Sequence, residues 1–564
     1  MAVVAASLLA VFFVVCAIRG GVDSYSPIPF WDMWIGYLGF FTGLSDDPWT
    51  GWWRPHNEHR IVFSKLLFWL DLHFFRGSIV FLVVANFVLA ALAAWLFAAM
   101  ARQASPAEAH SGPARIIGAA VVCLLFSWTQ SDNFGWGFQS AFFLAQLVPL
   151  FAFYLLYRAQ VAPTRRQLLF ASAALVGFAS LGTMANGVLV LPLMAVLAGV
   201  LRMGKPRVAI LVVLAVVALL LYFSGTFPAR QRMGLGPLVA NPLALLHYAV
   251  LYLGSPFYYL PGVGRLAADV AGVFFLVGTA CLLVRVLPSA RAPVGAASVV
   301  PLTLLFFIAY IMATAFITGY GRLAIGLEQA TSSRYTTTAL MGWCALLVAA
   351  ASLARRDTTR WWVGASTVLV ALLLVPRQLI AFDTNPYPFE RLVAGLALEM
   401  GVRDERQIRE VTPRLELTLA VVEKARAREL SAFGRRPLQG IRERIGQQHV
   451  TLPAAPCRAY IESVAAVPED ERYRSIEGWI YQPDARVAPA EVLLVDATGR
   501  LVGYGLTGKW RPDVAQVLGI RARATGFKGY LLSSYTGERI FVVGEEPACQ
   551  WEGDLPPLAG GAGG

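Results

Sequence analysis

Charge is what this chain has least of. Only 15% of its 564 residues are Asp, Glu, Lys or Arg, while 57% are hydrophobic. Soluble domains average about 25% charged residues, so an ordinary water-soluble globule is excluded and an integral membrane protein is expected. Histidine is scarce too, with six copies, and no second ligand stands at zinc-like spacing from His59. Ala2–Ile18 is apolar but lacks a basic n-region and a cleavage site, so it reads as a retained first helix rather than a signal peptide. Acidic residues are outnumbered, leaving a net charge of +12. In a polytopic chain that excess marks cytoplasmic loops and phosphate sites, and nucleic-acid binding is not expected. No fixed-period repeat occurs. The Gly-rich end, within residues 557–564, is expected to be disordered.

The apolar runs are what the chain does have. Eleven could span the ~30 Å hydrocarbon core, near 3–18, 78–101, 114–130, 138–157, 167–182, 187–203, 207–224, 268–286, 296–318, 335–354 and 361–377. Five short connectors are basic: they carry Arg102 and Arg115; Arg158, Arg165 and Arg166; Arg202, Lys205 and Arg207; Arg285 and Arg291; and Arg355, Arg356 and Arg360. The positive-inside rule puts all five in the cytoplasm. An odd span count then places the N-terminus inside and the C-terminus outside. That assignment leaves 245–262 no room as a full crossing, so a re-entrant or interfacial element is expected there.

After residue 377 the composition changes. Residues 378–448 are charged with helical periodicity and read as an outer helical stalk. Residues 449–556 show short alternating strands and read as a β-sandwich. Cys457 and Cys549 bracket those strands and are expected to form a disulfide. Cys16, Cys123, Cys281 and Cys344 fall in apolar runs, where a thiol behaves as a small hydrophobe. The fold expected is thus a polytopic α-helical membrane domain over 1–377, followed by the stalk and the sandwich.

The stretch Pro27–Arg60, inside an outer loop placed at 19–77, combines Trp31, Trp34, Trp49, Trp52 and Trp53 with Asp32, Asp46, Asp47, Asn57, Glu58, His59 and Arg60. Tryptophans gather at the membrane–water interface. Carboxylates beside them suggest chemistry on a substrate that lives partly in lipid. Two later outer stretches add Gln130, Asp132, Asn133 and Gln139, then Arg322, Glu328, Ser332, Ser333, Arg334 and Tyr335. Guanidiniums grip phosphate in bidentate fashion, and a carboxylate can accept the proton of an acceptor hydroxyl. That inventory suits glycosyl transfer from a lipid-linked phosphosugar in one in-line displacement that inverts the anomeric carbon.

A first helix, a long outer loop with an acid near its start, many spans and a C-terminal outer domain resemble the GT-C class of integral-membrane glycosyltransferases. The resemblance covers roughly 1–377 as architecture, with motif content at Asp32, at Asn57-Glu58-His59-Arg60 and at Ser333-Arg334-Tyr335. It implies a polyprenyl-phosphate sugar donor and a cell-envelope glycan, lipid or protein acceptor. It also implies residence in a bacterial inner membrane with the C-terminal domain in the periplasm, and Asp32 as the catalytic base. Glu58 stands in reserve as base. His59, Arg60, Asn57, Asp132, Asn133, Gln139, Arg322, Arg334 and Tyr335 are the candidate substrate contacts. The Asp-X-Asp pair frequent in that class is absent, Asp46-Asp47 being adjacent instead, which leaves the need for a divalent cation open. An O-antigen-type polymerase or ligase with a lipid-pyrophosphate donor would share the outer arginines without needing a first-loop acid. A transporter or flippase would place charges mid-span, and a non-catalytic polysaccharide-binding scaffold would need none of this chemistry.

Overall fold

The computed structural model describes residues 1–564 apart from 105–111, 226–240, 292–295, 355–356, 448–450, 452, 454 and 559–564. The expected disordered tail beyond Leu558, and Arg355 and Arg356 of the last basic connector, lie outside the described residues. The chain forms two compact units. The first comprises Met1–Asp23, Trp49–Leu67 and Phe81–Asp383; the second comprises Ser24–Pro48, Phe68–Val80 and Thr384–Gly564. The stretch Pro27–Arg60 is therefore divided between them.

The first unit is helical. Among the described residues, eight helices are long and apolar enough to cross a membrane: Ala2–Asp23, Val80–Gln103, Gly112–Gly135, Gly137–Val161, Lys205–Phe223, Gly264–Leu287, Val299–Ile325 and Ser333–Leu353. A ninth is a pair, Thr358–Leu373 and Val375–Phe382, bent by 46°. Their outward faces are apolar; Val213 is 60% and Leu220 70% exposed, a surface that water would penalise.

The expected count of eleven spans is corrected here. Runs 167–182 and 187–203 form only a 14-residue helix, Arg166–Ala179, and an 11-residue helix, Val190–Val200. Fourteen residues reach roughly 21 Å at 1.5 Å per residue, short of the core thickness. Both runs are apolar enough to span, but they end in two 3₁₀ turns, Ser180–Gly182 and Ala185–Leu189. These turns meet so closely that a Cβ on Gly187 would lie 1.9 Å from the Ser180 carbonyl oxygen. The pair is a short hairpin, and both its outer ends are basic, at Arg165 and Arg166 and at Arg202 and Lys205. The 245–262 segment is the helix Pro242–Gly254 followed by the 3₁₀ turn Ser255–Tyr259. It packs on Gly264–Arg291, where a Cβ on Gly254 would meet the Ala268 carbonyl oxygen at 1.8 Å. It is not among the candidate spans.

In the second unit, the expected two-layer sandwich is instead a single antiparallel sheet. Its strands are β1 Arg458–Ala466, β2 Tyr473–Tyr481, β3 Glu491–Val495, β4 Leu501–Lys509, β5 Gly526–Leu532, β6 Arg539–Glu545 and β7 Cys549–Asp554, in the order β1-β2-β5-β4-β3-β6-β7. The sheet curls into a half-barrel. The Cys457 N–H donates to the Gln550 carbonyl at 2.7 Å, and a disulfide joins Cys457 to Cys549. Val492, Leu494, Val502, Phe527 and Leu531 pack together on one face. The other face is covered too: Tyr504 donates to the Pro437 carbonyl and Tyr530 to Asp404. Burial on both faces explains the near-continuous apolar runs in β3 and β4. The expected stalk is a set of short helices, Tyr387–Met400, Glu405–Ile408, Leu415–Ala427 and Ile441–Arg444, folded onto this sheet.

Candidate functional site

In the first unit, Trp49–Arg60 is built as a rigid bracket. His56 and His59 exchange both backbone hydrogen bonds, at 2.8 and 3.0 Å. Asn57 between them takes φ +52°, a left-handed conformation that Asn tolerates better than most residues. Two cations secure this bracket. Arg60, buried, donates to the Tyr222, Trp53 and Ser224 carbonyls at 2.9, 2.6 and 2.6 Å, and stacks on Trp53. Lys65 donates to the Gly51, Trp52 and Arg54 carbonyls at 2.7, 3.2 and 2.6 Å, closing the Thr50–Trp53 turn. Burial, with Arg54 and Arg60 nearby, pushes the Lys65 ammonium down to about 8. Arg60, a candidate substrate contact, thus serves as a strut.

The bracket presents Glu58. Arg322 Nη2 donates to Glu58 Oε1 at 2.6 Å, and His59 Nε2 stands 3.5 Å from the same oxygen. His59 Nδ1 accepts the Ala185 N–H at 3.3 Å, so the neutral ring carries its proton on Nε2, toward the carboxylate. Burial opposes the charge on Glu58 and is the largest single influence. His59, Arg322, the Glu58 backbone N–H and His56 together outweigh it and hold the carboxyl below its ordinary value. A carboxylate held low is a weak base. Glu58 is better suited to aiming Arg322 than to taking a proton.

A second cluster stands on the turns around Ser131 and Ser333. The Asp132 N–H donates to Ser333 Oγ at 3.1 Å, and Ser131 Oγ lies 3.3 Å from that hydroxyl. Asn133, buried, donates to the Arg334 carbonyl at 3.0 Å and to Thr337 Oγ1 at 2.6 Å, so it splices the two turns together. Tyr335 is buried against Phe142 and Tyr252, and Arg334 stacks on its outer face at 5.2 Å. Arg377, just past the bend of the broken helix pair, stacks on Tyr259 at 4.5 Å and donates to Ser131 Oγ at 3.3 Å. Asp132 and Arg377 both act electrostatically on Tyr259. Gln139 is buried, and neither of its amide atoms meets a hydrogen-bond partner among the described residues. The charges of both Arg322 and Arg334 reach the buried Tyr248 phenol.

No protein-family model, curated protein or solved structure matches this chain. The site is therefore read from its own geometry. Glu58, His59, Arg60 and Arg322 come together, as do Asp132, Asn133 and Arg334. Among the described residues no group of three or more His, Cys, Asp or Glu is placed to hold a metal ion.

Asp32 belongs to the second unit. Trp31, directly before it, takes φ +50°, an outlier for a bulky side chain. A π-helix, Trp34–Gly39, follows directly. The turn is pinned from two points, since the Trp31 N–H and Trp34 Nε1 both donate to the Val411 carbonyl, at 2.8 and 3.1 Å. Strained backbone and π-turns concentrate at functional sites. Sequence reasoning missed Arg377, Lys65 and Tyr248. For Arg377 a signal existed: Pro376 precedes it at the end of an apolar run, where a helix breaks.

Proposed function

We propose that this protein is a membrane glycosyltransferase that moves a sugar from a polyprenyl-phosphate donor to a cell-envelope glycan, lipid or protein acceptor, at the outer face of a bacterial inner membrane. The observation that carries this reading is the turn that presents Asp32, the first-loop acid: Trp31 directly before it takes φ +50°, and the π-helix Trp34–Gly39 follows. Asp32 accepts the proton of the acceptor hydroxyl. The freed oxygen attacks the anomeric carbon from the side opposite the phosphate. The bond to the phosphate breaks, and polyprenyl phosphate leaves with the electron pair, inverting the centre.

The departing charge needs cations. Arg322 is occupied by Glu58, and Arg60 by backbone carbonyls. Arg334 and Arg377 make no ion pair among the described residues, and each keeps a buried Nε without a hydrogen-bond partner. A half-buried guanidinium with an unused N–H donor suits an anionic ligand, although the Asp132 charge also acts on Arg377. Within the first unit, Arg334 and Arg377 are therefore the candidate groups for an anionic ligand, with the Ser131 hydroxyl beside Arg377.

The test uses purified protein in lipid nanodiscs, a panel of polyprenyl-phosphate sugars and crude envelope acceptor, following release of free polyprenyl phosphate. Release with one donor, abolished by Asp32→Asn in a folded protein, is the expected result. Release that survives Asp32→Asn moves the base to Glu58 or Asp132. A transporter or flippase is the second reading, favoured by Arg377 sitting just past a broken helix. It predicts movement of the lipid-linked sugar between leaflets with no release of polyprenyl phosphate.

A further inference from the structure

The connection between β4 and β5 is longer than it needs to be. The two strands pair antiparallel, with Lys509 opposite Gly526, a geometry that a hairpin of two to five residues closes. The chain instead inserts residues 510–525, a short helix, Pro512–Leu518, and a 3₁₀ turn, Ile520–Ala524.

This excursion is anchored from within. Val514 and Ala522 are buried with Tyr481, against Trp479 and Leu518. The Arg511 N–H donates to the Arg523 carbonyl at 2.7 Å, and the Arg511 side chain pairs with Glu462 and Asp513. Around Gly519, at φ +95°, the chain turns its apolar side chains outward. Val517 is 82% exposed, Ile520 70% and Trp510 40%. Nothing in the packing of the half-barrel requires apolar residues at this tip.

The flanks are basic. Within 510–525 stand Arg511, Arg521 and Arg523 against the single acid Asp513, which Arg511 already holds. Arg523 lies over the Trp510 ring at 5.2 Å. Protruding aliphatic side chains, an indole at their base and surplus arginines make an element that enters a lipid headgroup region from one side.

We propose that the 510–525 excursion is a membrane-surface anchor, with Val517 and Ile520 entering the headgroup layer of a bilayer that contains anionic lipid and with Arg521 and Arg523 meeting the phosphates. The proposal is independent of the transfer reaction. It gives a role to the Trp510-Arg511-Pro512 segment, which the catalytic reading leaves unused.

The experiment uses the full chain in nanodiscs. An environment-sensitive fluorophore is placed at Val517→Cys in a Cys281→Ser background, since Cys281 is the exposed free thiol among the described residues. The discs hold either neutral phosphatidylcholine or a mixture with phosphatidylglycerol, each with and without nitroxide-bearing lipid. The expected result is a blue-shifted emission and a roughly twofold loss of signal to the nitroxide lipid. The loss should be greater with phosphatidylglycerol and removed by Ile520→Asp. A water-like emission untouched by the nitroxide in both lipids would overturn the anchor. A blue shift without nitroxide quenching would assign the tip to a protein contact and overturn it equally.

Discussion

The two halves of the Pro27–Arg60 stretch carry the same kinds of residue and use them differently. In the half that belongs to the first unit, Glu58 and Arg60 are tied down, as is Lys65 just beyond it. Arg60 and Lys65 hold carbonyls, and Glu58 is shared by Arg322 and His59. In the half that belongs to the second unit, Asp32 follows a residue at φ +50° and leads into a π-helix. Both acids follow a residue in the left-handed region, but Glu58 follows Asn57, which tolerates it, and is held by an ion pair, whereas Asp32 follows the bulky Trp31, which does not. A charged residue's work is read from what it touches and what its backbone costs, and residue type decides little.

This contrast can be broken, starting where the effect is largest. Asp32→Asn should cut turnover by about 10³-fold with donor binding retained, the magnitude of a lost general base; rates of polyprenyl phosphate release check it. Arg60→Ala should destabilise the first unit by about 3 kcal/mol, because it removes a buried guanidinium and its three charge-assisted bonds to backbone carbonyls. Thermal unfolding in detergent reads this, and an unchanged midpoint would mean that the bracket stands without its strut. Arg377→Gln should weaken binding of polyprenyl phosphate by about tenfold, with Arg377→Lys recovering part of the loss; equilibrium binding in neutral nanodiscs measures both.

The smallest effect expected lies in the second unit. Glu399 is buried beside Arg426, whose Nε donates to it at 2.9 Å. Burial nonetheless outweighs Arg426 and lifts the carboxyl to about 7. A folded-state value raised above the unfolded one gives stability that is complete below the unfolded value of 4.5 and is lost as pH rises through about 7. Glu399→Gln should flatten this dependence, on the order of 1–2 kcal/mol between pH 5 and 8, seen as melting temperatures that no longer fall across that window.

Much of the fold was legible because its signal is local. Long apolar runs such as Val80–Ala104 and the five basic connectors mark the helices directly, and alternation over Tyr473–Tyr481 marks a strand. What escaped depends on distant partners. Residues 167–182 look like a span, and only the crossing of Gly187 against Ser180 makes that helix half of a short hairpin. The sheet looked like a sandwich because apolar runs in β3 and β4 do not reveal that helices from 387–444 cover one face. The Trp34–Val411 bond joins residues 377 apart, and no local pattern encodes it, so the division of the first loop between two units was invisible. At the site, residue types were readable in Asp32, Glu58 and Arg334. That Arg60 is a strut and that Arg377 joins Ser131 followed only from their contacts.

The most direct test of the central claim is the pH profile of kcat/KM for polyprenyl phosphate release in wild type, Glu58→Gln and Asp32→Glu. If Asp32 is the base and Glu58 aims Arg322, Glu58→Gln lowers the rate but leaves the acidic limb in place, while Asp32→Glu moves that limb. An acidic limb that disappears in Glu58→Gln and stays fixed in Asp32→Glu would exchange the two roles and contradict the account.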